Sequence, residues 1–185
     1  MEVKDWISAC VLLMILMSCT CMVQEIFEFE DALGDDQQSS WVWRSEASGL
    51  KTFRITSMEG RTAVSLFLCV RPRGNLKNVT FYIDNIRYGN DGPSDQIQLI
   101  FEEVELATIH SYEKWHNGHE WNVLKNTGQK GPLINLLEGD YKLDVFVKTD
   151  QWGMELDFIQ INSEHQLRSQ PIICDAIAYD DSSEN

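Results

Sequence analysis

Apolar and polar residues alternate with a period of two along most of the chain, and side chains two apart on a strand share a face. The alternation predicts strands at residues 26–30, 52–56, 62–70, 79–86, 97–101, 104–109, 121–124, 133–137, 141–149 and 154–161. Pro72-Arg73-Gly74-Asn75, Gly89-Asn90-Asp91-Gly92-Pro93 and Gly139-Asp140 read as turns, and Glu102-Glu103 as the tip of a hairpin. No segment carries a helical stripe over three turns. Evenly spaced strands broken by turns predict an all-β sandwich or jelly roll. There is no internal repeat. The pattern fades after Ser163, so residues 24–163 read as the domain and 164–185 as a C-terminal tail.

The start differs. Lys4 precedes a short apolar run, residues 6–17, and Ser18-Cys19-Thr20-Cys21 follows. Residues 1–23 therefore read as a secretory signal peptide, the run being shorter than the roughly 20 residues of a spanning helix. A signal anchor and a bacterial lipoprotein box at Leu16-Met17-Ser18-Cys19 are the alternatives. No later segment reads as a membrane span, and the polar, acidic C-terminus does not resemble a lipid-anchor signal.

A leader changes the cysteine arithmetic. Of five cysteines, Cys10, Cys19 and Cys21 fall in it, which leaves Cys69 and Cys174. An even pair in an oxidising compartment is expected to bond, the alternative being two separate thiols. Asn78-Val79-Thr80 is a glycosylation sequon, so Asn78 is expected to be exposed. The formal charge is −14, and removing Glu2, Lys4 and Asp5 leaves −13. With no cluster of Lys and Arg, nucleic acid and anionic membrane surfaces are poor partners.

The first and last strands are the most informative pair. Ile26-Phe27-Glu28-Phe29-Glu30-Asp31-Ala32 and Gly153-Met154-Glu155-Leu156-Asp157-Phe158-Ile159 each carry acidic residues two apart. If the strands pair, three or four carboxylates converge on one edge. Burying them together is costly, and a hard cation such as calcium would relieve it.

These segments, with Trp115, Trp121 and the turn Leu137-Glu138-Gly139-Asp140-Tyr141, resemble carbohydrate-binding modules of families six and thirty-five, in the same order over residues 25–162. The resemblance implies a galactose-binding-like jelly roll of two antiparallel sheets. It also implies a structural calcium held by Glu28, Glu30 and Asp157 with a carbonyl near Gly49, and a sugar site in loops at one end. Solvent-facing Glu28 and Glu30, with Phe27 and Phe29 inward, are the alternative. Residues 83–95 depart from the family pattern, and a longer loop there would reshape or block its cleft.

A sugar site needs aromatic faces with a few fixed polar groups. Trp115 and Trp152 are the stacking candidates and Asn117 the hydroxyl partner, while Trp121 and one of Trp41 and Trp43 are expected in the core. His116 and His119 lack the further ligands of a zinc site. No nucleophile elbow, phosphate loop or dinucleotide fingerprint is present. The expectation is a secreted, extracellular, non-catalytic lectin-like domain that binds a glycan or glycoprotein. A protein-recognition domain on the same sandwich, binding a protein receptor, is the second reading, and a small hydrolase the third.

Overall fold

A computed structural model describes residues 22–29, 39–71, 78–90, 95–111, 123–164 and 168–170. They form two antiparallel sheets packed face to face, the expected β-sandwich. Twelve strands run β1 (Val23–Glu28), β2 (Ser39–Trp43), β3 (Lys51–Ile55), β4 (Arg61–Val70), β5 (Asn78–Asn90), β6 (Gln96–Phe101), β7 (Val104–His110), β8 (Lys125–Asn126), β9 (Lys130–Leu137), β10 (Gly139–Lys148), β11 (Met154–Ser163) and β12 (Arg168–Gln170).

The larger sheet has the order β2-β3-β11-β5-β8. β1 continues the β3 edge of β11, and β9 pairs with β5. The smaller sheet has the order β12-β4-β10-β6-β7. Alternation decides which side chains turn inward. On β10, Leu143, Val145 and Val147 are buried, while Asp144 and Phe146 between them are only partly so. Phe53, Phe81, Ile86, Leu156 and Ile159 of the larger sheet meet Leu68, Leu99, Leu143 and Val145 of the smaller in one core. Burying such side chains contributes about 1.5–3 kcal/mol each relative to exposure.

β1 and β11, the first and last strands read from the sequence, pair as expected, Phe27 opposite Ile159 and Glu28 opposite Phe158. The hairpin at Glu102-Glu103 also forms. Both residues take left-handed φ, 47° and 67°, as a two-residue turn between twisted strands requires. The Glu102 N–H donates to the Lys142 carbonyl at 3.0 Å, and Glu102 Oε1 accepts from the Lys142 N–H, which docks the turn on β10.

Four local expectations are corrected. Gly89-Asn90 continues β5, pairing with Glu155 and Met154, instead of opening a loop. Gly139-Asp140 begins β10, pairing with Val70 and Cys69, instead of turning. Trp41-Val42-Trp43 lies on an edge strand, β2. Residues 168–170, read as tail, add β12 to the edge of β4. Cys69 is buried on β4 opposite Arg168, and Cys174 lies outside the described residues. Asn78 is exposed at the start of β5, as expected.

Candidate functional site

Two neighbourhoods carry the candidate residues, and β11 runs through both. The first is the outward face of the larger sheet. Leu156 and Ile159 point into the core, and Asp157 is the extra residue of a bulge in the pairing of β11 with β5. Glu155, opposite Arg54, and Asp157 lie on the outward side, yet both are fully buried.

A buried carboxylate needs compensation. Glu155 receives it from two arginines. Arg44 donates from Nε at 2.7 Å and from Nη2 at 2.6 Å, a two-point contact. Arg54 donates from Nε at 3.1 Å and from Nη2, and the Thr52 hydroxyl donates at 3.0 Å. The expectation that a cation relieves the crowded acids of this edge is therefore corrected for Glu155, whose charge is met inside the chain. Asp157 has Arg87 Nη1 at 3.2 Å from Oδ2.

Glu28 reaches the same face. Its Oε1 accepts from the Ser48 hydroxyl at 2.6 Å, while its Oε2 is buried without a hydrogen-bond partner. That orphaned oxygen, next to the bulge that carries Asp157, fits the donor chemistry of a calcium site, which takes six to eight oxygens. Glu30, the third expected ligand, lies outside the described residues. Among the described residues no three His, Cys, Asp or Glu side chains group as a metal cage.

The second neighbourhood is the end of the sandwich where β11 begins. Trp152 is 60% exposed. Its backbone is fixed, since Asp150 Oδ1 accepts from the N–H groups of Trp152 at 2.7 Å and Gly153 at 3.3 Å. Gly153 has φ 84°, and a Cβ there would lie 2.9 Å from Thr56 Oγ1 and collide with the Ile55 carbonyl. The turn therefore takes no other residue without strain. Asp150 N–H in turn donates to the fully buried Asp95 at 2.7 Å. Asp95 exchanges bonds with Ser111, its carbonyl accepting from the Ser111 N–H at 2.9 Å and its N–H donating to the Ser111 hydroxyl at 3.1 Å. One chain of hydrogen bonds thus joins the Trp152 turn to the residue from which 112–122 departs. Trp115, Asn117 and Trp121 belong to that segment and lie outside the described residues.

Trp41 and Trp43 depart from expectation. Neither is core: Trp41 is 48% exposed and Trp43 64%. Both lie on the edge strand β2, two residues apart and so on one face, with the Trp41 ring tilted against Phe53 at 4.8 Å. Burial raises the Tyr88 phenol above its ordinary range and lowers the Arg61 guanidinium below its own, loss of solvent being the cause in each.

Sequence reasoning missed Arg44, Arg54, Ser48 and Arg87. Arg44 and Arg54 lie 111 and 101 residues from Glu155, so only topology brings them together.

No protein-family model matches the sequence, and no curated protein matches it. Solved structures do match, at low identity. A family 35 carbohydrate-binding module from Cellvibrio japonicus Abf62 aligns with TM-score 0.53 and 13% identity over 82% of this chain and 99% of the module. A family 35 module from an environmental isolate aligns with TM-score 0.50 and 19% identity over 81% and 98%. A Bacillus thuringiensis Cry1Da tryptic core variant aligns with TM-score 0.53 and 14% identity over 74% of this chain and 22% of its own. The resemblance read from the sequence extends to the fold.

The Glu155 cluster makes a direct prediction. Truncating a buried ion's partner leaves the others uncompensated, so Glu155→Ala is expected to lower unfolding stability by about 3–5 kcal/mol. Arg71→Ala, which breaks an exposed 2.6 Å pair with Asp140, is expected to cost less than about 1 kcal/mol. Urea denaturation of both variants checks this. Equal midpoints would contradict it.

Proposed function

We propose that the chain is a secreted, non-catalytic carbohydrate-binding domain, with residues 1–23 removed as a leader and the glycan held at the loop end beside Trp152. The observation that carries the reading is Trp152 itself: a large aromatic ring, mostly exposed, on a turn locked by Asp150 and Gly153. A pyranose presents apolar C–H faces, and a fixed indole offers them a flat partner at little conformational cost. Trp115 and Asn117, proposed as the second ring and the hydroxyl partner, follow Ser111 in the sequence, and Ser111 shares the Asp95–Asp150 hydrogen bonds. The likeness in fold to carbohydrate-binding modules supports the same reading. The net charge of −13 that remains without the leader favours a neutral or weakly charged glycan, free or on a glycoprotein.

A second reading, recognition of a protein receptor on the same sandwich, is favoured by Trp41 and Trp43, two exposed rings on an edge strand. One experiment separates the two. Binding to a panel of polysaccharides and thermal melting are measured for Trp152→Ala and Trp115→Ala. Each is expected to lose at least about 1 kcal/mol of glycan binding while melting like the parent. A stable parent that binds no glycan would contradict the lectin reading and favour the receptor one.

Calcium belongs to the proposal as a structural ion held by Glu28, Glu30 and Asp157. It would pin β1 to β11, and the orphaned Glu28 oxygen supports it. An ion that binds only the folded chain stabilises by roughly 2.7 kcal/mol at a hundredfold excess over its Kd. Chelator is therefore expected to lower the melting temperature reversibly in the parent and not in Asp157→Ala. Melting that chelator leaves unchanged in both would remove the ion from the account.

We also propose a disulfide between Cys69 and Cys174 and a glycan on Asn78. β12 supports the first, because it brings the chain alongside Cys69 shortly before Cys174. The exposure of Asn78 supports the second. A non-reducing peptide map of secreted protein is expected to join the two cysteine peptides and to show added sugar mass at Asn78. Two free thiols, or an unmodified Asn78, would refute the respective assignment.

A further inference from the structure

Residues 44–50 form a closed loop between β2 and β3. The Arg44 N–H donates to the Leu50 carbonyl at 3.0 Å, the Ala47 N–H to the Arg44 carbonyl at 3.2 Å, and the Leu50 N–H to the Ala47 carbonyl at 3.1 Å. The loop ends on two left-handed residues, Gly49 with φ 62° and Leu50 with φ 64°. Glycine takes that conformation freely, whereas leucine is strained in it and keeps it only where the surroundings over-determine it.

The surroundings here are two anchors on two acids. Arg44 grips the fully buried Glu155 through the two-point contact at 2.7 and 2.6 Å. Ser48 donates to Glu28 Oε1 at 2.6 Å. The loop therefore spans from Glu155, two residues before Asp157, to Glu28, the carboxylate with a buried oxygen lacking a hydrogen-bond partner. Glu155 itself has its charge met by Arg44 and Arg54.

We infer that the Arg44–Glu155 pair is the positioning element of the cation site: it holds the strained loop so that the Ser48 hydroxyl stays on Glu28, and it sets cation affinity without touching the ion. This rests on the calcium reading above and adds a residue pair to it. The reason is preorganisation. A loop fixed before binding has less freedom to lose when the ion arrives, and a carboxylate oriented by its neighbours is a better ligand. Arginine suits the task, because a planar guanidinium grips a carboxylate at two points and a lysine ammonium at one.

The test is calcium titration by calorimetry on the full chain, with three variants. Arg44→Ala leaves Glu155 with Arg54 and Thr52, so it is titrated below its own melting transition, measured beforehand. It is expected to bind calcium roughly 10–100-fold more weakly. Arg44→Lys keeps the charge and loses the two-point contact, and is expected to fall between Arg44→Ala and the parent. Val145→Ala, a core truncation in the other sheet, is expected to melt earlier yet bind calcium like the parent. Parent-like affinity in Arg44→Ala would overturn the inference and leave the calcium site standing. So would an equal loss in Val145→Ala, which would mean that general loosening weakens the site. No calcium heat in the parent would overturn the calcium reading and this inference together.

Discussion

Much of what distinguishes this sandwich depends on how the chain compensates one buried carboxylate. Glu155 sits on the outward face of the larger sheet, sealed from water, and two guanidiniums with a threonine hydroxyl converge on it. Taking these charges out of water is expensive, and their mutual attraction roughly offsets the cost only while every partner is present. The cluster is thus a poor source of net stability and a strong source of specificity. Arg54 enters with β3, Arg44 with the loop after β2, and Glu155 with β11, so one arrangement of the three satisfies it.

That arrangement places β11 at the centre of both neighbourhoods. At its start, the Asp150 turn and Gly153 present Trp152 outward from a rigid base. Five residues after Trp152, the bulge at Asp157 aims a carboxylate to the outer face beside the end of β1, where Glu28 lies. Along β11, polar residues on the outward face do the positioning while Leu156, Ile159 and Ile161 on the inward face supply the core contacts. The division follows from strand periodicity.

The elements legible in the sequence are those where one face is fully apolar. β10 alternates strictly, the β6–β7 hairpin is two alternating runs around a charged pair, and β1 and β11 share an acidic pattern that marks them as partners. What escaped has physical reasons. Trp41 and Trp43 look like core on hydrophobicity, and their exposure follows from lying on an edge strand, a fact of topology. Gly89-Asn90 carries a turn signal, but pairing with β11 overrides local propensity. The arginines on Glu155 come from over a hundred residues away, with no local mark. Glu155 and Asp157, alike in sequence, part company in the fold, one closed by two arginines and a threonine and the other paired with Arg87 at a bulge in the strand next to β1.

The central claim is that this scaffold presents a glycan-binding end. The most direct measurement is a glycan array probed with calcium-loaded, full-length protein. The account predicts selective binding to one structural class of neutral or weakly charged saccharides, competed by the free sugar. A folded protein, with its melting transition intact, that binds no saccharide on the array would contradict it.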